Sequence, residues 1–160
     1  MADFARSTHP RVQAQLDRLQ MLSPAGDRLG LERVGALLER LGRPQDRLPP
    51  LFHVAGTNGK GSTIAYLRAA LEESGYKVHA FTSPHLVRFN ERIRVAGRLI
   101  DDDPLAELLT EVLNASAGIE PSFFEVATIV ALLAFARTPA DACLLEVGLG
   151  GRLDATNIID

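Results

Sequence analysis

Residues 51–75 read LFHVAGTNGKGSTIAYLRAALEESG. An apolar run, Leu51 to Ala55, enters a segment that sets Gly56, Gly59 and Gly61 around a single lysine, Lys60. It leaves with Ile64, Leu67, Ala70 and Leu71 at helical spacing, ahead of Gly75. The run is short and bounded by breakers, which predicts a strand buried on both faces. The spacing after it predicts a helix from about Lys60 to Ser74, stopped at Gly75. A strand that turns sharply into a helix leaves the first-turn N–H groups without partners, and with the helix dipole these attract an anion. Glycines let phosphate oxygens approach the backbone closely. Lys60 supplies a point charge on a flexible stem, suited to outer phosphates. Ser62 or Thr63 offers a hydroxyl to magnesium, an ion that takes few protein ligands. The usual phosphate-loop spacing, G-x-x-x-x-G-K-[ST], would put glycine at position 54 and Ser or Thr at position 61. Val54 and Gly61 stand there instead, so G-T-N-G-K-G-S is a compressed form. The bland alternative is a tight turn carrying an incidental surface lysine.

Working outward, Val12, Leu16, Leu19 and Leu22 predict a helix over residues 10–22, and a second runs from Leu31 to Leu41 before Gly42 and Pro44. RPQDRLPP reads as a rigid connector. YKVHAFTS predicts a strand ending at Ser83-Pro84, and ERIRVAGRLI a short hairpin around Gly97. Asp103-Pro104 predicts a cap and first-turn proline for a helix with Leu105, Leu108, Leu109 and Val112 on its inner face. Ser122 and Glu125 fit a capping box opening a buried helix that runs to Phe135 or Ala136. ACLLEVG predicts another buried strand, followed by the glycine-rich GLGGRLDATN. This alternation is that of an α/β domain with a doubly wound, mostly parallel sheet, whose ligands sit beyond the carboxyl ends of the strands. Residues 1–50 read as N-terminal helices and linker, and residues 51–160 as the phosphate-loop domain.

Composition narrows the class. With 160 residues, 46% hydrophobic and 23% charged, the chain has enough material for a core and is not disordered. A net charge of -3 and no Lys/Arg run give no reason to expect nucleic acid. A single cysteine, Cys143, excludes an internal disulfide and suits a reducing cytoplasm. MADFARSTHPRVQ lacks a secretory apolar core. The most apolar stretch, FFEVATIVALLAFA, is shorter than the roughly 20 residues of a membrane span and carries Glu125.

HVAGTNGKGST resembles the nucleotide loop of the Mur ligase superfamily. FTSPHLVRFNERIRVAG and LLEVGLGGRLDATNII narrow the resemblance to the folylpolyglutamate synthases and bifunctional dihydrofolate synthases, and GLERVGALLERLGRP is similar to that family's N-terminal helices. The resemblance implies an ATP-dependent amide ligase. ATP phosphorylates the carboxylate of dihydropteroate or of a folate, and free L-glutamate attacks the acyl phosphate with its amino group. Phosphorylation turns a poor electrophile into one with a good leaving group, and positioning with cation charge carries the phosphoryl step.

Residue by residue, the resemblance implies that Thr57, Asn58, Gly59, Lys60, Gly61 and Ser62 bind ATP. It implies that Ser62, Ser83 and Glu146 hold Mg2+, with Lys60 and Glu146 catalytic. Ser122, Phe123, Phe124 and Glu125, with Leu153, Asp154 and Ala155, match the pteroate-binding stretches. Plainer readings stand beside these: Ser83 as a turn residue, Glu146 paired with an arginine, Glu125 as a capping partner only, and Phe123 and Phe124 as core. His53 and His85 read as packing or loop residues. Arg88, Arg92 and Arg94 have the charge to meet substrate carboxylates, and the plainer reading for them is a solvated face.

Family members are more than twice as long, with a C-terminal domain, and place a metal-ligating histidine and a carbamylated lysine just beyond LDATNIID. The chain is therefore expected to be an N-terminal part of a cytoplasmic, monomeric ligase, with little turnover alone and no membrane or nucleic-acid partner. Rival readings are a phosphate-loop kinase or NTPase, a non-catalytic nucleotide-binding module and, more weakly, a peptidoglycan-precursor ligase.

Overall fold

The structure is a computed structural model that describes residues 5–22 and 29–159. The start of the N-terminal stretch, residues 1–4, lies outside them. Among the described residues five α-helices, α1 (Pro10–Leu22), α2 (Glu32–Arg40), α3 (Lys60–Glu73), α4 (Asp102–Ala115) and α5 (Phe123–Arg137), accompany five strands. The strands are β1 (Leu51–Val54), β2 (Val78–Phe81), β3 (Ile93–Val95), β4 (Arg98–Leu99) and β5 (Ala142–Glu146). They form one sheet in the order β1-β5-β2-β3-β4. β1, β5 and β2 run parallel, and β3 and β4 are antiparallel additions. This is the α/β, mostly parallel arrangement that the alternation of strands and helices calls for.

The register decides where the site lies. Val54 is level with Glu146, and Phe81 with Leu145, so three parallel strands end together. The loops after β1, β2 and β5 therefore open side by side, beyond the carboxyl ends.

Helices α1, α2, α4 and α5 build the large core, in which Val12, Leu16, Leu37, Leu109 and Val130 are fully buried. α5 is apolar all round because it lies between the sheet and these helices, and every residue from Val126 to Phe135 is buried. The other face is covered by α3 through a small cluster of Ile64, Val78, Ala80 and Leu144.

Three local expectations change. β1 is not buried on both faces: it pairs only with β5 among the described residues, and Phe52 is 44% exposed. On α3 only Ile64 is fully buried, while Leu67 and Leu71 are half-buried and Ala70 is exposed. α4 starts two residues earlier than the Asp103-Pro104 pair suggested, with Asp101 as N-cap and Asp102 and Asp103 in the first turn. The carboxylates there suit the positive end of the helix dipole.

The β3–β4 turn has φ of 46° at Ala96 and 87° at Gly97, the pattern of a type I′ hairpin. Alanine is a costly choice at such a φ, and a side chain in the core compensates. His79, fully buried on β2, accepts the Ala96 N–H at Nδ1 (3.0 Å). Its Nε2 must then carry the proton donated to the Thr138 carbonyl (2.9 Å), and its ring stacks on Phe135 at 4.6 Å. Protonating Nδ1 would set two N–H groups against each other. Burial pushes the His79 pKa below 6.5. Burial also lowers that of His53, against the opposing charge of Asp154. Both groups take up protons more readily in the unfolded chain, so their contribution is complete above pH 6.5 and fades as pH falls through the folded values. Urea midpoints are expected to be lower at pH 5.5 than at 7.5, with less of a drop in His79→Gln; equal drops would remove His79 from this account. Glu111, held below its ordinary 4.5 by the Arg137 hydrogen bond, acts in a more acid window.

Candidate functional site

The loop between β1 and α3 has Gly59 as the helix N-cap at φ 75°, left-handed backbone that suits glycine, and no side chain caps α3. The first-turn N–H groups therefore face outward, as anion binding requires. Lys60 Nζ donates to the Gly56 carbonyl at 3.0 Å, so the ammonium folds back across the loop. Thr63 Oγ1 donates to the Gly59 carbonyl at 2.9 Å, which commits that hydroxyl to the helix. Ser62, Thr57 and Asn58 are exposed.

Glu146 closes β5 with 5% exposure. Its Oε2 accepts the Ser83 N–H at 3.0 Å. A Cβ built on Gly61 would lie 3.7 and 3.9 Å from its two carboxylate oxygens, so the carboxylate faces the first turn of α3. No arginine, lysine or histidine among the described residues forms a salt bridge with it. The arginine-paired reading of Glu146 therefore finds no partner. A buried carboxylate with one N–H donor is costly unless a cation reaches it. Ser83, half-buried beside a cis Ser83-Pro84 bond in the loop after β2, adjoins Glu146 at the end of β5, and Ser62 follows Gly61 in the first turn of α3 that this carboxylate faces. That donor set fits a hard divalent ion that keeps several waters. No cluster of three or more His, Cys, Asp or Glu stands among the described residues, so a site made entirely of such ligands is not offered there.

The segment 122–125 divides. Ser122 caps α5 by accepting the Glu125 N–H (3.2 Å), and Glu125 Oε2 accepts the Ser122 N–H (2.6 Å). Arg33, from α2, grips Glu125 with Nε to Oε2 at 3.1 Å and Nη2 to Oε1 at 2.7 Å. The hydrogen bond to Glu125 holds the Arg33 pKa above its ordinary value. Phe123 is buried and meets the Phe89 ring edge-on at 5.7 Å. Phe124 alone turns toward the strand ends, half-buried, with its ring 5.8 Å from that of Phe81.

The second glycine-rich loop is tied down from within. Asp154, 2% exposed, accepts the Leu149 N–H at 2.8 Å, the Thr156 N–H at 3.0 Å and the Thr156 hydroxyl. His53 Nε2 pairs with that same Thr156 Oγ1 at 2.8 Å. Ala155 is buried, whereas Leu153 is 48% exposed and its carbonyl accepts the Gly30 N–H at 3.3 Å. The structure thus brings together the phosphate loop, Ser83, Glu146 and Phe124. It gives Ser122, Phe123, Glu125, Asp154 and Ala155 packing or loop-fixing partners.

The solvated face expected of three arginines is corrected for Arg92. It is fully buried, with its guanidinium carbon 5.8 Å from the Phe89 ring centre and 5.3 Å from that of Phe123, and Nε donates to His85 Nδ1 at 2.8 Å. Arg88 is exposed but grips Asp102 with two hydrogen bonds of 2.8 and 2.9 Å. Arg94 donates to the Gly97 carbonyl at 3.3 Å. Sequence reasoning passed over Arg33 as well; its place beside Glu125 follows from α2 crossing the start of α5, which nothing in the local pattern marks.

No family model matches the chain. The chain is 47% identical over 132 residues to the dihydrofolate synthase/folylpolyglutamate synthase of Escherichia coli, covering 82% of this chain and 31% of that one. It is 44% identical over 142 residues to the Bacillus subtilis protein of the same name, covering 84% of this chain and 33% of that one. Among solved structures, E. coli FolC in complex with DHPP and ADP superposes with a TM-score of 0.87 at 42% identity, over 96% of this chain and 36% of that chain. A bifunctional folylpolyglutamate synthase/dihydrofolate synthase with Mn, AMPPNP and L-glutamate bound superposes at 0.85 and 40% identity, over 98% and 37%. The chain spans about a third of the length of these relatives.

Proposed function

We propose that this chain, homologous over 82% of its length to dihydrofolate synthase/folylpolyglutamate synthase, supplies the nucleotide- and metal-binding part of an ATP-dependent ligase. The ligase joins L-glutamate to dihydropteroate or a folate. The observation that carries this reading is the buried Glu146 carboxylate, without a salt-bridge partner among the described residues and turned toward the Gly59–Lys60 helix start. Residues 51–160 hold all the nucleotide and metal candidates, and residues 1–50 would be the N-terminal helices and linker that accompany them. The single buried Cys143 and the lack of any membrane-length helix among the described residues support a cytoplasmic setting.

Gly59, Lys60, Gly61 and Ser62, with Thr57 and Asn58, would hold the phosphates of ATP. Ser62, Ser83 and Glu146 would hold Mg2+, which when bound neutralises developing charge on the transferred phosphoryl group. Lys60 leaves the Gly56 carbonyl for a phosphate oxygen, exchanging a neutral acceptor for a charged one. The Ser83 N–H keeps Glu146 oriented.

The test is a chimaera in which this chain replaces the matching segment of the E. coli relative. ADP release that requires both dihydropteroate and L-glutamate, and is lost in Glu146→Gln, is the expected result. ADP release indifferent to glutamate would make the chain part of a kinase or NTPase. ATP binding without ADP release would make it a non-catalytic module.

A further inference from the structure

The loop that carries Ser83, residues 82–92 between β2 and β3, gathers on one side chain. Glu91 Oε1 accepts the Val87 N–H at 3.0 Å and the Arg88 N–H at 2.7 Å, and Oε2 accepts the Leu86 N–H at 2.8 Å. Burial cannot fix this stretch, because Leu86 is 92% exposed and Val87 76%. The carboxylate fixes it instead. The amides of Leu86, Arg88 and Val87 hold the Glu91 pKa below its ordinary 4.5, so the three hydrogen bonds are charge-assisted at neutral pH.

The same residue reaches the start of the loop through its main chain. Its carbonyl accepts the Thr82 hydroxyl at 3.5 Å, and the next carbonyl, that of Arg92, accepts the Thr82 N–H at 3.0 Å. Ser83, Pro84 and His85 thus bridge two anchors, Thr82 and Leu86, and Glu91 takes part in both. Ser83 in turn donates its N–H to Glu146 at 3.0 Å.

We infer that Glu91 is a positioning residue: through the Leu86, Val87 and Arg88 amides it fixes the backbone at Ser83, so that this serine can serve a divalent cation together with Glu146. This deepens the proposed ligase reading and rests on its metal assignment. A ligand on a loop that must first be ordered binds more weakly, because ordering is then a cost of binding. The hydrogen bond from Arg92 Nε to His85 Nδ1 persists without Glu91 and keeps part of the bridge in place. The expected loss is therefore smaller than the roughly ten- to hundredfold that follows removal of a partner bonded directly to a ligand.

The experiment is calorimetry of this chain with Mn-ADP and with ADP plus chelator, beside amide hydrogen exchange. The ratio of the two affinities reads what the metal adds to binding. Glu91→Ala is expected to cut that ratio about three- to tenfold and to leave metal-free ADP binding unchanged. Exchange at Leu86, Val87 and Arg88 should become about tenfold faster. Glu91→Gln separates the three amides: one oxygen still accepts from Val87 and Arg88, while the new NH2 group meets the Leu86 N–H donor to donor. Exchange should then rise at Leu86 alone, and the ratio should fall between those of wild type and Glu91→Ala. Leu86→Ala combined with Val87→Ala keeps every amide and is expected to match wild type. A purely structural role would lower both affinities together and leave the ratio unmoved. That result, or a reduced ratio in the Leu86→Ala, Val87→Ala variant, overturns the inference alone. If Glu91→Ala does not fold, Glu91→Gln decides by the same readings. Failure of both to fold also overturns the inference, because the residue then holds the fold and not the loop. A wild-type chain whose ADP affinity gains nothing from Mn2+ overturns the inference together with the metal assignment. A chain that takes up no nucleotide overturns the ligase reading itself.

Discussion

Lys60→Ala is expected to weaken Mg-ATP binding by about ten- to a hundredfold while leaving the urea midpoint within error of wild type. The two halves of that expectation have separate sources. In the ligand-free loop the ammonium donates to one exposed backbone carbonyl, Gly56, at 3.0 Å. An exposed contact of that kind adds at most about 1 kcal/mol to stability, and alanine is the better helix former at the first position of α3. Against a nucleotide the same ammonium faces phosphate oxygens, and hydrogen bonds between charged groups are worth about 1.5–3 kcal/mol. That range converts to the stated loss. Lys60→Arg is expected to recover part of it, because a planar fork replaces a point charge on a loop of fixed width. Calorimetry with Mg-ATP, and with ATP plus chelator, checks both claims. Unchanged affinity in Lys60→Ala would return the loop to a tight turn with an incidental surface cation. A large loss of stability would mean that the Gly56 contact, and not the nucleotide, is what the lysine is for.

What the sequence disclosed follows from how local each signal is. Glycines, capping residues and apolar period act within a few positions, so the bend after Ala55, the Ser122–Glu125 box and the Ala96-Gly97 hairpin were all legible. The carboxyl-end clustering of Ser83 and Glu146 was legible too, because parallel strands joined by helices leave few alternatives. Non-local partners were not. The edge position of β1 depends on strand order, which no apolar run encodes. Arg33 reaches Glu125 across 92 positions of sequence, and His53 reaches Thr156 across 103. Asp154 resembled a substrate ligand by its motif, yet its carboxylate is spent on Leu149 and Thr156 within its own loop. Arg92 misled most, since an arginine set between Arg88 and Arg94 in a segment after a strand end normally faces water.

Arg92→Ala is accordingly expected to cause the largest loss of stability, about 3–5 kcal/mol in urea unfolding. Removing so large a buried side chain leaves a cavity of the kind that costs about 2–5 kcal/mol in other cores. The guanidinium also lies over two rings, Phe89 at 5.8 Å and Phe123 at 5.3 Å. Each such contact contributes about 0.5–2 kcal/mol according to how dry it is. The His85 Nδ1 acceptor loses its 2.8 Å donor as well. These contributions overlap, so their sum is an upper bound. Arg92→Lys is not expected to rescue the fold, because an ammonium neither stacks between two rings nor presents a planar Nε–H to His85. Arg92→Met separates the causes: it refills much of the volume without charge, and should recover about half the loss if the cavity dominates. The position also matters to the site. Arg92 clamps Phe89 and His85, which follow Ser83 in one loop, onto Phe123, the neighbour of Phe124. Loosening it should therefore expose Ser83 and Leu86 amides to hydrogen exchange before the strands of the core open. If Arg92→Ala costs less than about 1 kcal/mol, the guanidinium is a passenger in a core that the rings hold by themselves.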